Sequence, residues 1–162
     1  MKKLFMIRHA KSDQSFFGND FERPLNERGR SDCPEMAKRL LEKKIKFDKL
    51  VSSPATRAKQ TATLFADTLK IPAEEIIFIS ALYHAPADDF YEVIGSLPDD
   101  IKSVAIFSHN PGITYFVNSL GTGTEVNNMP TCAIFAVEAD ISHWADFGKA
   151  KKELLFFDYP KK

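Results

Sequence analysis

Three short apolar stretches constrain this chain more than any other feature: Leu4-Phe5-Met6-Ile7, Leu50-Val51 within Lys49–Ser52, and Val104-Ala105-Ile106-Phe107. None alternates apolar with polar residues, so none suits a strand with one wet face. Continuous runs of this length mark strands covered on both sides, as in the parallel sheets of α/β proteins. Segments of helical period separate them. Cys33, Met36, Ala37, Leu40 and Leu41 share one face of a helix beginning near Asn26, in which Pro34 is expected to mark a kink or the true start. Ala58, Ala62, Phe65 and Leu69 stripe a second helix; Phe90, Val93, Ile94 and Leu97 a third, over Asp88 to Leu97; Ile113, Phe116, Val117 and Leu120 a fourth. Further strands are expected near Ile76–Ile79, Cys132–Val137 and Glu153–Phe157. No repeat, low-complexity tract or linker interrupts this alternation, which predicts a single α/β domain over residues 1–162.

Composition narrows the function classes. The 162 residues carry 22 Lys+Arg against 22 Asp+Glu, a formal charge of zero. A protein whose affinity rests on neutralising many nucleic-acid phosphates needs a basic face, so nucleic acid is not expected as a partner. Cys33 and Cys132 lie far apart in apolar-patterned stretches and read as reduced buried thiols, which points to the cytoplasm. Met1-Lys2-Lys3 precedes only four apolar residues before Arg8, too few for a signal peptide, and no apolar run approaches the ~20 residues that span a bilayer. A soluble, untargeted protein without a membrane partner is expected.

Three strands deliver unusual polar residues at their carboxyl ends: Arg8 and His9; Ser53, with Arg57 a turn later; and His109. Ligands of open α/β sheets bind in the crevice at that edge, so these residues are expected to converge. Ser53-Pro54 and Asn110-Pro111 each read as an N-cap followed by a first-turn proline, and helix N-termini favour anions. Two arginines and two histidines beside such ends suit a phosphoryl group. The zero net charge then requires compensating acids elsewhere, or at the rim of the pocket, where they would repel the wrong anions.

The order and spacing of Arg8-His9, of Arg57 within Ser52-Ser53-Pro54-Ala55-Thr56-Arg57-Ala58-Lys59-Gln60-Thr61, and of His109 resemble the histidine phosphatase superfamily. Arg23-Pro24-Leu25-Asn26-Glu27-Arg28-Gly29, Ser108-His109-Asn110-Pro111-Gly112 and Pro130-Thr131-Cys132-Ala133 resemble its small phosphohistidine phosphatases, and the likeness runs through nearly the whole chain. It implies a phosphoglycerate-mutase-like three-layer sandwich, with a mostly parallel sheet between helical layers, a phosphohistidine intermediate, and neither metal nor cofactor.

On that resemblance His9 is the nucleophile, since a neutral imidazole attacks phosphorus without a separate base, and the neighbouring arginines disfavour its protonation. Arg8 and Arg57 bind the phosphoryl oxygens, and His109 donates to one of them. Two departures stand out. Ala10 replaces the glycine of the usual Arg-His-Gly, so the position does not require positive φ. No carboxylate occurs in Ser80-Ala81-Leu82-Tyr83-His84-Ala85, where many members place a Glu that protonates an alkoxide. An imidazole leaves phosphorus more readily, so the missing acid points to phosphohistidine in a protein or peptide; His84 is a candidate substitute acid or substrate contact, and Arg23 a contact for a second anionic group. The alternatives are a small-molecule phosphomonoesterase acting on a phosphorylated metabolite and a noncatalytic phosphate-binding module. His143 reads as structural, Cys132 as an inert thiol in an apolar strand, and Lys151, Lys152, Lys161 and Lys162 as solvated surface.

Overall fold

The computed structural model describes residues 1–161. Six strands, β1 (Lys2–Arg8), β2 (Lys49–Ser52), β3 (Ile77–Phe78), β4 (Ser103–Ser108), β5 (Ile134–Ala139) and β6 (Glu153–Asp158), form one sheet in the order β3-β2-β4-β1-β5-β6. The pairs β1/β4, β2/β4 and β2/β3 are parallel, whereas β5 runs antiparallel to both β1 and β6. The three apolar runs are thus the adjacent central strands β2, β4 and β1.

Helices cover both faces. Phe5, Ile7, Ala105 and Phe107 pack on one side with Cys33, Met36, Leu40 and Phe65, from α1 (Glu27–Glu42) and α2 (Thr56–Leu69). Leu4, Met6, Val104 and Ile106 pack on the other with Phe90, Ile94, Phe116 and Val117, from α3 (Ala87–Gly95) and α4 (Gly112–Ser119). Alternate residues of one strand therefore feed opposite cores, which is why these strands carry no polar face. This is the three-layer, mostly parallel architecture expected.

Local readings need correction at six residues. Pro34 lies inside α1, which starts at Glu27 behind an Asn26 cap accepting from the Gly29 amide at 2.8 Å. Leu41, expected on the apolar face, is exposed. Ser53 and Asn110 do not cap: α2 and α4 follow Ala55 and Pro111, and neither has a side-chain cap. Cys132 precedes β5 in a turn with φ 64°, its amide donating to the carbonyls of Arg8 and His9 at 3.0 and 3.1 Å. Lys152 is buried, its ammonium donating to the Gly148 carbonyl at 3.0 Å and lying 4.8 Å from the Phe147 ring, where the aromatic face and the carbonyl replace water. Lys151 and Lys161 are exposed as expected, and Lys162 falls outside the described residues.

Candidate active site

The carboxyl ends of β1, β2 and β4 open into one cleft of about 850 Å³ lined by Arg8, His9, Arg23, Arg57, His84 and His109, so all six sequence candidates meet there. Backbone pairing fixes its floor. The His9 amide donates to the Ser108 carbonyl at 3.0 Å and the Ser53 amide to the Phe107 carbonyl at 3.0 Å, which locks the three strand ends in register.

His9 is 5% exposed, and its Nδ1 lies 2.7 Å from the Ala10 carbonyl. That carbonyl only accepts, so Nδ1 carries the proton and Nε2 keeps its lone pair. Burial is the main force lowering the imidazole pKa to about 3, with Arg8, Arg57 and Arg23 adding to it against the opposing Ala10 bond. The arginines expected to keep His9 neutral are therefore secondary to desolvation. Ala10 has no positive φ and is itself buried, its amide donating to Thr61 Oγ1 at 2.9 Å.

The His109 ring stands 5.1 Å from that of His9, with Nε2 2.8 Å from Ser53 Oγ. Burial first, then His9 and Arg57, lower its pKa to about 2, so both histidines are neutral in the unliganded site. Ser53 takes this role instead of capping: its hydroxyl also accepts the Ala55 amide at 3.2 Å. Asn110 is likewise engaged, accepting from the Thr114 hydroxyl at 2.6 Å.

Arg8 donates through Nη1 to the Met129 carbonyl at 2.8 Å, and Arg57 through Nη1 and Nη2 to the carbonyl and carboxylate of Asp20 at 2.7 and 2.9 Å. Among the described residues only four buried side-chain polar atoms lack a partner, and three of them are Arg8 Nε, Arg57 Nε and His109 Nδ1. Buried donors without acceptors are expensive, and three of them on residues that line one cleft with His9 suit an oxyanion.

Asp20 and Tyr83 were missed by sequence reasoning, whereas Ser53 was placed at this edge but read as a cap. Asp20 binds Arg23 Nη1 through Oδ1 at 2.9 Å and accepts the Tyr83 hydroxyl through Oδ2 at 2.7 Å. The Tyr83 hydroxyl first, then Arg57 and Arg23, lower its pKa to about 2. The available signal was the need for acids near a basic pocket in a neutral chain. Arg23 also donates through Nε to Ser12 Oγ at 3.0 Å. His84 is exposed, adopts φ 61° and stacks on Tyr83 with ring centroids 3.9 Å apart. Gly112 allows this loop to approach: a Cβ there would collide with the Ala85 carbonyl.

Elsewhere, His143 is exposed and pairs with Asp99 at 2.8 Å. The adjacent Cys33 thiol and burial hold the Cys132 thiol well above its ordinary value. Among the described residues no helix is long and apolar enough to cross a membrane, and no three His, Cys, Asp or Glu side chains group as metal ligands.

Fold and site together point to a class: the branch 1 sequence profile of the histidine phosphatase superfamily matches residues 4–77 of the chain. Among particular relatives, the phosphohistidine phosphatase SixA of Escherichia coli (strain K12) is 28% identical over 144 residues, covering 86% of this chain and 87% of that one. The structure of a protein histidine phosphatase SixA in complex with tungstate superimposes with a TM-score of 0.83 at 23% identity, over 97% of this chain and 96% of that one. A mycobacterial glucosyl-3-phosphoglycerate phosphatase has the same fold, with a TM-score of 0.72 at 15% identity over 99% of this chain and all 100% of that one.

Proposed function

We propose that residues 1–162 form one histidine phosphatase domain that hydrolyses phosphohistidine in a protein or peptide through a phosphohistidine intermediate on His9. The observation that carries this reading is the trio of unpartnered buried nitrogens on Arg8, Arg57 and His109 around a neutral imidazole whose Nδ1 proton is held by Ala10. His9 Nε2 attacks phosphorus, the bond to the substrate nitrogen breaks, and the phosphoryl group passes to His9. The two guanidiniums and His109 hold its equatorial oxygens, where charge develops. Phosphorylation makes the His9 ring cationic, and the Ala10 carbonyl steadies its Nδ1–H. Water then displaces Nε2, which recovers its electron pair as phosphate leaves. Arg23, on the rim, orients the incoming group. The similarity to SixA supports the phosphohistidine substrate, and the absence of a carboxylate on the Ser80–Ala85 segment supports it further.

The test is a substrate panel of phosphohistidine peptide, phosphoserine peptide and sugar phosphate, with the quenched enzyme examined by mass spectrometry. Wild type is expected to hydrolyse the phosphohistidine peptide and to trap an acid-labile phosphoryl group on His9, and His9→Ala to do neither. Rapid cleavage of the sugar phosphate with phosphohistidine left intact would transfer the assignment to a small-molecule phosphomonoesterase. Binding without turnover or adduct would make the domain a phosphate-dependent binding module.

A further inference from the structure

We propose that Asp20 receives the leaving group: its carboxylate accepts the ring N–H of the protonated phosphoimidazole beside His84, the member of an aromatic cluster with Tyr83 and Phe21 that lines the cleft. This rests on the phosphohistidine reading above and assigns a residue to the departure step.

A carboxylate is an odd tenant of an anion site. Asp20 lines the same cleft as Arg8, His9 and Arg57, and its side chain is 44% exposed despite three charged or hydroxyl partners. Arg23 binds Oδ1, while Arg57 and Tyr83 bind Oδ2. A carboxylate offers about four acceptor positions, so one on Oδ1 stays open on a residue that lines the cleft. A residue serving only to anchor Arg57 needs no such exposure.

The surroundings suit a flat cation. The Phe21 ring meets Tyr83 edge-on at 5.1 Å, Tyr83 stacks on His84 at 3.9 Å, and Tyr83 also meets the His109 ring edge-on at 5.5 Å. Tyr83 thus links the carboxylate to the histidine that faces His9 and backs His84, which lines the cleft. Aromatic faces and an ionised carboxylate together favour an imidazolium and disfavour an alkoxide or a second anionic group.

The chemistry balances without a proton donor. The substrate ring enters with a proton on the nitrogen distant from phosphorus. When His9 Nε2 forms its bond to phosphorus, the P–N bond breaks and its electron pair returns to the near nitrogen. The distal proton stays in place, and neutral imidazole departs. Asp20 holds that proton's bond and favours the protonated ring; it does not itself give up or take a proton. The missing acid on Ser80–Ala85 is thereby accounted for, since Tyr83 of that segment fixes Asp20 in its place.

Three probes test the assignment on wild type, Asp20→Asn and Asp20→Glu: phosphoimidazole, its N-methylated cation lacking the ring N–H, and p-nitrophenyl phosphate, whose leaving group needs no proton. Asp20→Asn is expected to lower kcat/KM about 100-fold for phosphoimidazole and several-fold for the aryl ester, the latter through Arg57. Its alkaline limb for phosphoimidazole should move down by about one pH unit, and Asp20→Glu should restore part of the loss. Wild type should prefer the N–H probe to the N-methyl probe, and the preference should vanish in Asp20→Asn. Equal loss on all three probes, with the pH limb unmoved, would overturn the proposal and leave Asp20 as an anchor for Arg57. Failure of wild type to turn over phosphoimidazole at all would overturn the phosphohistidine reading as well.

Discussion

His9 and His109 are lowered to pKa values of about 3 and about 2, chiefly by burial. In the unfolded chain each titrates near ~6.5. Below that value the unfolded state binds two protons that the folded state refuses. The two residues therefore leave stability untouched above about pH 6.5 and erode it as pH falls toward 3. His143 has the opposite sign, because its pairing with Asp99 raises its pKa and favours the fold at low pH; its exposure keeps that contribution small. Denaturant midpoints measured at about pH 7 and about pH 4.5 should show a larger acid-induced loss for wild type than for a His9→Gln/His109→Gln variant. Equal losses would mean that neither imidazole is held neutral by the fold.

At the scale of elements, the site depends on how closely the loop before α3 approaches the start of α4. Gly112 opens α4 directly against the Ala85 carbonyl, and that contact sets the position of Tyr83 over His109, with His84 stacked on Tyr83. Gly112→Ala is expected to destabilise the fold by about 1–3 kcal/mol, as overpacking does, and to lower kcat/KM by displacing the aromatic cluster. Chemical denaturation and steady-state assays would show both; an unchanged kcat/KM would separate the loop from catalysis. This contact also marks the boundary of what a sequence can disclose. Arg8, His9 and His109 were legible because each directly follows a continuous apolar strand, and the sheet carries strand ends to one edge whatever the loops do. Ser53 and Asn110 were misread as caps because a hydroxyl or amide beside proline has several possible partners, and the choice of His109 for Ser53 and of Asn128 for the Asn110 amide is made by tertiary packing. The charge balance called for an acid near the pocket but could not single out Asp20 or its pairing with Tyr83: they are 63 residues apart, and no periodicity links them.

For the whole molecule, zero net charge conceals an uneven distribution. The cleft gathers the cationic side chains of Arg8, Lys11, Arg23, Arg28 and Arg57 against the carboxylates of Asp20 and Asp32. With no overall charge to attract or repel, steering of an anionic substrate rests on this local excess alone. Such a field decays over about 8 Å at physiological ionic strength, so it acts on a phosphoryl group only near the mouth of the cleft. Raising salt should therefore lower kcat/KM for a phosphohistidine peptide several-fold while leaving kcat nearly constant, because the bound phosphoryl group lies among buried donors that ions do not reach. Lys11 is exposed at the mouth, so Lys11→Gln should flatten the salt dependence; a parallel fall of kcat with salt would place the sensitive charges at the reacting phosphorus instead.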